Sequence, residues 1–210
     1  EKVFFSTPDL AEHVLPVRPD AVWLPNPTNT DRFCPEDGLH LTNRPRVLFI
    51  SALSRIKGVE RAFQVIKLLQ ERMPGIEIAV MGFGDQFHRY RNWPGIAVLG
   101  PVPYGRMPAL IRSYDVVVGQ LHLGIISMSE QEAMACGKPV VGEFRYPEVY
   151  PEPPPIWAGE TPEELAAQVI RLLEDEETRQ EAGRLSREWV VRYHDYRVVA
   201  QQLEGHYESL

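Results

Sequence analysis

The 210-residue sequence contains only two cysteines, Cys34 and Cys136, with no CxxC pair and no Cys/His cluster. Zinc-site spacings are therefore absent. At most one disulfide is available, and reduced thiols in a cytosolic protein fit better. A cationic excess is also missing. Twenty-two lysines and arginines face 29 aspartates and glutamates, for a net charge of −7, whereas a nucleic-acid binder would carry a basic stripe. That balance still leaves room for a local cationic pocket sized for one diphosphate. No apolar run reaches the length of about 20 residues needed to span a membrane, and no signal peptide is visible. The expected location is the cytoplasm; a whole protein working on membrane lipid would be peripheral and anchored elsewhere. Missing too are a Ser/His/Asp arrangement, a GxSxG elbow, an HExxH helix and a Walker loop. There is no internal repeat. The chain begins at Glu1 and not at a methionine, so a longer parent protein is expected.

What is present is an alternation. KVFFSTP (2–8) reads as a short strand closed by Pro8, and AVWLPNP (21–27) is an apolar run broken by Pro25 and Pro27. Residues 34–45 have the composition of a linker or surface loop. From Arg46 a rhythm begins. RVLFISA (46–52), IEIAVMG (76–82), IAVLG (96–100), DVVVGQ (115–120), PVVGEF (139–144) and PIWA (155–158) have strand character. Between the first two, Val59, Ala62, Phe63, Ile66, Leu69 and Met73 recur at helical spacing. Met107–Tyr114 and Ser129–Cys136 read as short helices, and 161–174, 176–192 and 196–208 as longer ones. Strands that are apolar throughout are buried on both faces, so the pattern predicts an α/β domain: a Rossmann-like parallel sheet flanked by helices. Ligands then bind beyond the carboxyl ends of the strands, which directs attention to loops 51–58, 82–88, 100–105 and 119–129.

Three stretches there have chemical content. In SMSEQEAMACGKPVV (127–141), Ser127 and Glu130 have capping-box spacing; Gly137 and Pro139 end the short helix. Glu132 then lies near the positive helix end, where a carboxylate can accept from two sugar hydroxyls or merely complement the dipole. In Ser54–Gly58, Lys57 offers a point charge and Arg55 a fork for phosphate oxygens at a helix start; the bland reading is a pair of solvated loop cations. In GQLHLGIIS (119–127), Gly124 permits close backbone approach, and the amides of Ile125 and Ile126 can meet a phosphate or a sugar hydroxyl. Gln120 or His122 could add a polar contact, although for His122 a surface or packing role is the simpler reading. Gly82 and Gly84 allow tight passage at a strand end. Val102 and Tyr104 belong to the loop after Leu99, where Tyr104 either stacks on a base or is an exposed loop residue. Asp115 reads as a turn residue, and Glu143, Arg145 and Glu148 as rim residues without assigned chemistry. Trp189, Tyr193 and Tyr207 read as packing residues.

The run EAMACGKPVV (132–141) resembles the C-terminal donor-binding domain of glycosyltransferase family 4 (group 1), the retaining GT-B transferases. LPNPTNTDRFCP (24–35), RVLFISALSRIKGVERAF (46–63), IEIAVMGFGD (76–85), IAVLGPVP (96–103) and the closing HYESL are similar to successive segments of that domain, so the resemblance covers nearly the whole chain. It implies that Glu132 binds the ribose hydroxyls, that Lys57 binds the diphosphate, and that backbone groups near Val102 hold the base. Two departures stand out. The family usually carries an arginine where this chain has Ala52, for which Arg55 is the candidate substitute. It commonly carries a second, sugar-reading glutamate where this chain has Gly124.

The resemblance implies a lead-in segment (1–45), a nucleotide-sugar-binding domain (46–195) and a C-terminal crossover helix (196–210). The expected reaction is retaining, metal-independent transfer of a hexosyl group from a nucleotide sugar, a substrate rather than a cofactor, to a sugar, lipid or small-molecule acceptor. Lys57 and Arg55 would stabilise the leaving diphosphate, and Glu132, Gly82, Val102, Tyr104 and the Gly124–Ile126 turn would bind the donor. An N-terminal GT-B domain is the expected partner, nucleic acid is not, and the fragment alone is expected to be inactive. The competing readings are a GT-B nucleotide-sugar epimerase, a non-catalytic binding or scaffold lobe, and an unrelated doubly wound domain; the last lacks the acidic cluster a receiver would need.

Overall fold

The structure is a computed structural model that describes residues 2–36 and 44–208; most of the 34–45 loop and the last two residues of HYESL lie outside them. In chain order the elements are β1 (Phe4–Phe5), α1 (Ala11–Val14), β2 (Val22–Trp23), β3 (Arg46–Phe49), α2 (Val59–Arg72), β4 (Glu77–Met81), α3 (Phe87–Tyr90), β5 (Ile96–Leu99), α4 (Met107–Arg112), β6 (Val116–Val118), α5 (Met128–Ala135), β7 (Val140–Gly142), β8 (Trp157–Ala158), α6 (Pro162–Glu174), α7 (Glu176–His194) and α8 (Tyr196–Glu208). The strands are shorter than the apolar runs, and the single turn of α3 has no periodic signal in the sequence.

β3 to β8 form one parallel sheet in the order β5-β4-β3-β6-β7-β8. Val47 is in register with Ile78 on one side and Val116 on the other. Because side chains alternate along a strand, this register sorts the apolar residues into two cores. Val47, Phe49, Val80, Val118 and Val141 pack with Phe63 and Ile66 of α2 and with Leu165 and Val169 of α6. Leu48, Ile50, Met81, Val117 and Val140 pack with Ile111 of α4, Met134 of α5 and Trp189 and Val190 of α7. Strand order reverses between β3 and β6, so the loops that follow these two strands open side by side, the usual place for a ligand in such sheets.

β1 and β2 stand apart as a parallel two-stranded pair. The segment after β2 is stitched to the far end of the chain. Thr28 N donates to the carbonyl of His194 (2.7 Å) and Tyr196 N to the carbonyl of Thr28 (3.1 Å). One Arg187 nitrogen reaches the carbonyls of Thr30, Phe33 and Ala135. Buried His194 sits 2.9 Å through Nδ1 from the Asn26 carbonyl, with Nε2 2.8 Å from the Tyr150 hydroxyl. Burial pulls its pKa down to about 4, so the ring is neutral near pH 7. Trp189 is buried against Tyr150 at 4.7 Å between centroids, as a packing residue should be. Tyr207 is not one: it is 59% exposed, with its ring 6.5 Å from that of Phe4. Among the described residues no helix is long and apolar enough to cross a membrane.

α7 packs against the end of α5 through Gly183, where an added Cβ would stand 2.1 Å from the carbonyl oxygen of Gly137. Helix propensity alone makes Gly183→Ala stabilising by about 1 kcal/mol. The backbone clash reverses the sign, and overpacking of this kind costs about 1–3 kcal/mol. The variant should therefore melt several degrees below the parent chain in a circular-dichroism scan.

Candidate functional site

The switch point is built around one carboxylate. Glu130, on the first turn of α5, is 1% exposed. One of its oxygens accepts from Gln120 N (3.2 Å), and the other from Ser127 N (2.7 Å) and the Ser127 hydroxyl. It lies beneath the ends of β6 and β7, and glycine is what makes the space. A Cβ on Gly119 would fall 1.9 Å from a Glu130 oxygen, and one on Gly142 3.1 Å from the same atom. Gln120 is fully buried. Its amide nitrogen donates to the carbonyls of Ile125 (2.7 Å) and Glu143 (3.1 Å), and its oxygen accepts from His122 N (3.0 Å) and Leu123 N (2.6 Å). The amide is thus consumed by the loop and not offered to a ligand. His122 is exposed.

The turn carrying Lys57 docks on this loop. Leu121 N donates to the Lys57 carbonyl (3.0 Å). Gly58 has a left-handed φ of 78° and lies so close that a Cβ would meet the Leu121 carbonyl at 2.8 Å. Lys57 is half-buried, and its charge favours the ionised form of Glu130. Arg55 points elsewhere: it is exposed, with its guanidinium 3.7 Å from Glu60. The two cations of the sequence motif therefore occupy different environments, and only Lys57 faces the buried carboxylate.

Glu132, one helical position pair further on, is half-buried on α5. Tyr104 lies close enough to its carboxylate for each to shift the other's proton affinity, which brings Tyr104 to the site. The Tyr104 ring is 52% exposed and stands edge-on to Phe33 at 5.4 Å. Val102 is half-buried against the α4–α5–α7 core. Gly82 N donates to the Leu99 carbonyl (2.7 Å), and a Cβ there would stand 2.6 Å from that oxygen. The side chains of Ile125 and Ile126 are buried at 6% and 5% exposure.

Gly124 is covered on the side where a side chain would stand. Its φ is 69°, and the stem of Arg145 fills the space a Cβ would take, with Cγ at 2.6 Å. Arg145 N donates to the Gly124 carbonyl (2.9 Å), and its Nε donates to Glu143 (2.7 Å). Arg61 pairs with the same carboxylate (3.2 Å) and donates to the Gly159 carbonyl (2.8 Å). Arg145 and Glu143, read from the sequence as rim residues without chemistry, form with Arg61 one wall of a 720 Å³ polar cleft that also includes Glu160 and Glu164. Neither the buried state of Glu130 nor this triad was foreseen. The one available signal was a glycine at each of two adjacent strand ends.

Over residues 61–205, more than half of the chain, the sequence matches the glycosyl transferase-like family. The chain belongs to that family. None of the curated proteins matches it. Among solved structures, sucrose-phosphate synthase from Thermosynechococcus elongatus superposes with a TM-score of 0.75 at 20% identity, covering 99% of this chain and 58% of that one. HepE from Anabaena, solved with UDP and glucose, gives 0.72 at 19%, covering 91% and 58%. The C-terminal domain of the group 1 glycosyl transferase LpcC from Francisella tularensis gives 0.65 at 15%, covering 80% of this chain and 99% of that domain. The likeness establishes the fold: a six-stranded parallel α/β domain of GT-B glycosyltransferase type. The chain spans 58% of the synthase chain, a little over half.

Burial pushes the carboxyls of Glu130 and Glu132 up to about 7 from an ordinary 4.5. The folded chain thus holds these protons more tightly than the unfolded chain. Their contribution to stability is full below pH 4.5 and is lost as pH rises through 7. Glu132→Gln removes one of the two groups and should flatten the fall of melting temperature between pH 5 and 8; an unaltered slope would assign the pH dependence elsewhere.

Proposed function

We propose that this chain is the nucleotide-sugar-binding lobe of a retaining, metal-independent glycosyltransferase of family 4. Family membership supports the transferase class. The observation that carries the finer reading is the docking of the Lys57 turn on the loop that leads into α5, at the point where strand order reverses. Lys57 from one side and Glu132 from the other then serve one nucleoside diphosphate.

The chemistry follows from the two environments. Glu132, ionised, accepts from both ribose hydroxyls, with Tyr104 beside it. Lys57 lies against the diphosphate and offsets the charge that grows there as the glycosidic bond breaks. Glu130 keeps the loop in shape. The amides of Ile125 and Ile126 face the sugar phosphate beside the start of α5. Arg55 is peripheral. HepE has also been solved with UDP-glucose, which supports a uridine or related nucleotide sugar as the class of donor. The isolated β1–β2 pair supports a second lobe in a longer protein, which would hold the acceptor and close over the donor. The chain alone would bind donor and transfer nothing.

One observation favours a second reading. Arg145 lies over Gly124, where a sugar-reading carboxylate would otherwise stand, and this suits a lobe that binds nucleotide without catalysis. Calorimetry with UDP, GDP and ADP sugars tests the binding claim common to both. Lys57→Ala should weaken the best of them about tenfold or more, the equivalent of about 1.4 kcal/mol. Arg55→Ala should change affinity less than about threefold, because an exposed pair of this kind contributes little. Binding to none of the three would end the donor-lobe reading. Affinity should also rise as pH passes upward through 7 and Glu132 ionises, and Glu132→Gln should abolish that rise.

A further inference from the structure

Arg32 lies in the segment between β2 and β3, far in sequence from every residue discussed above as part of the site. Its backbone is held firmly. Arg32 N donates to the Asn29 side chain (3.0 Å), and the next residue, Phe33, is fully buried. Its side chain is exposed, with the guanidinium over the Tyr104 ring, 5.0 Å from the centroid. The neighbouring acid, Asp31, is taken by Arg197 and the Tyr196 hydroxyl. No carboxylate among the described residues pairs with the Arg32 guanidinium. A planar cation thus rests on an aromatic ring that lies beside Glu132. Beside it the turn is open: a Cβ on Gly100 or Gly105 would meet no atom within 4 Å.

We propose that Arg32 is a specificity-determining residue that reads the nucleobase and selects a keto base. The inference rests on the donor-lobe reading, in which Glu132 holds the ribose. On this proposal a base attached to that ribose extends over the Tyr104 side of Glu132, where the turn is open at Gly105. There it meets the Tyr104 ring and the guanidinium that covers it. Arginine has only donors. It therefore favours a base edge that presents a carbonyl oxygen and disfavours one that presents an amino group. Uracil and guanine carry a carbonyl oxygen at the position where cytosine and adenine carry an amine. Cation–π contact with Tyr104 holds the planar fork in one position before the ligand arrives. Preorganisation of this kind converts hydrogen bonding into discrimination more than into bulk affinity.

The test uses base pairs matched in ring size. Calorimetric titration of the 210-residue chain with UDP against CDP, and GDP against ADP, gives two selectivity ratios. At least one should exceed about tenfold in favour of the keto base, within the range of a good base contact. Arg32→Ala should bring that ratio to within about threefold while leaving inorganic pyrophosphate binding and the melting temperature as they were. Arg32→Lys, which keeps the charge but not the fork, should restore affinity for the keto nucleotide more than it restores the ratio. Two results would overturn the proposal: a ratio unaltered by Arg32→Ala, or an equal loss for all four nucleotides and pyrophosphate, which would make Arg32 a general anion contact. Absence of any nucleotide binding by the parent chain would instead remove the donor-lobe reading beneath it.

Discussion

The geometry of this domain depends on the burial of one acid, Glu130, under two strand ends. A carboxylate with 1% exposure is tolerated only because its oxygens accept hydrogen bonds from Gln120 and Ser127 and because Lys57 lies close enough to favour its charge. Glycine at 119 and 142 gives the space that any side chain would close. With Glu130 in place, the end of β6, the start of α5 and the loop between them become a single hydrogen-bonded unit. Gln120 completes that unit from within. The Lys57 turn then has a fixed surface on which to dock, with Gly58 pressed against the Leu121 carbonyl.

The same economy of backbone contact governs the ends of the chain. The described residues of the lead-in segment add no strand to the main sheet, yet Thr28 pairs with the junction of α7 and α8, and Arg187 gathers three carbonyls from Thr30, Phe33 and Ala135. Neutral His194 closes this junction by bonding Asn26 and Tyr150. The anchoring reaches the candidate site. Phe33, held by Arg187, borders Tyr104, and Tyr104 lies beside Glu132. A segment that looks in sequence like a connector is therefore part of the wall beside the ligand-facing sheet edge.

Periodicity and composition were enough to place six strands of a parallel sheet and the helices between them other than the single turn of α3, because strands buried on both faces have to be apolar throughout and α2 has to show one apolar face. The capping box and the close of α5 at Gly137 and Pro139 were also legible, since they depend on neighbours a few residues away. The docking of the Lys57 turn on the loop that carries Gly124 joins two of the loops that the general rule for such sheets singles out. Which residues touch within those loops was not legible. Arg55 and Lys57 are two residues apart and chemically alike, but the turn sends one to Glu60 and the other toward Glu130. Gln120 reads as a polar loop residue and is in fact buried, with its amide fully engaged.

Sequence alone determined the α/β architecture and the chemistry present at the strand ends, because both arise from local propensity and from the alternation of buried residues. Tertiary structure decided which acid is buried, which cation faces it and what covers Gly124. Those outcomes depend on contacts between residues that lie apart in the chain: Glu130 with Gly119 and Gln120, Arg145 with Gly124, and Leu121 with Lys57. No local pattern encodes such a contact, since it exists only once the sheet register has brought the two segments together.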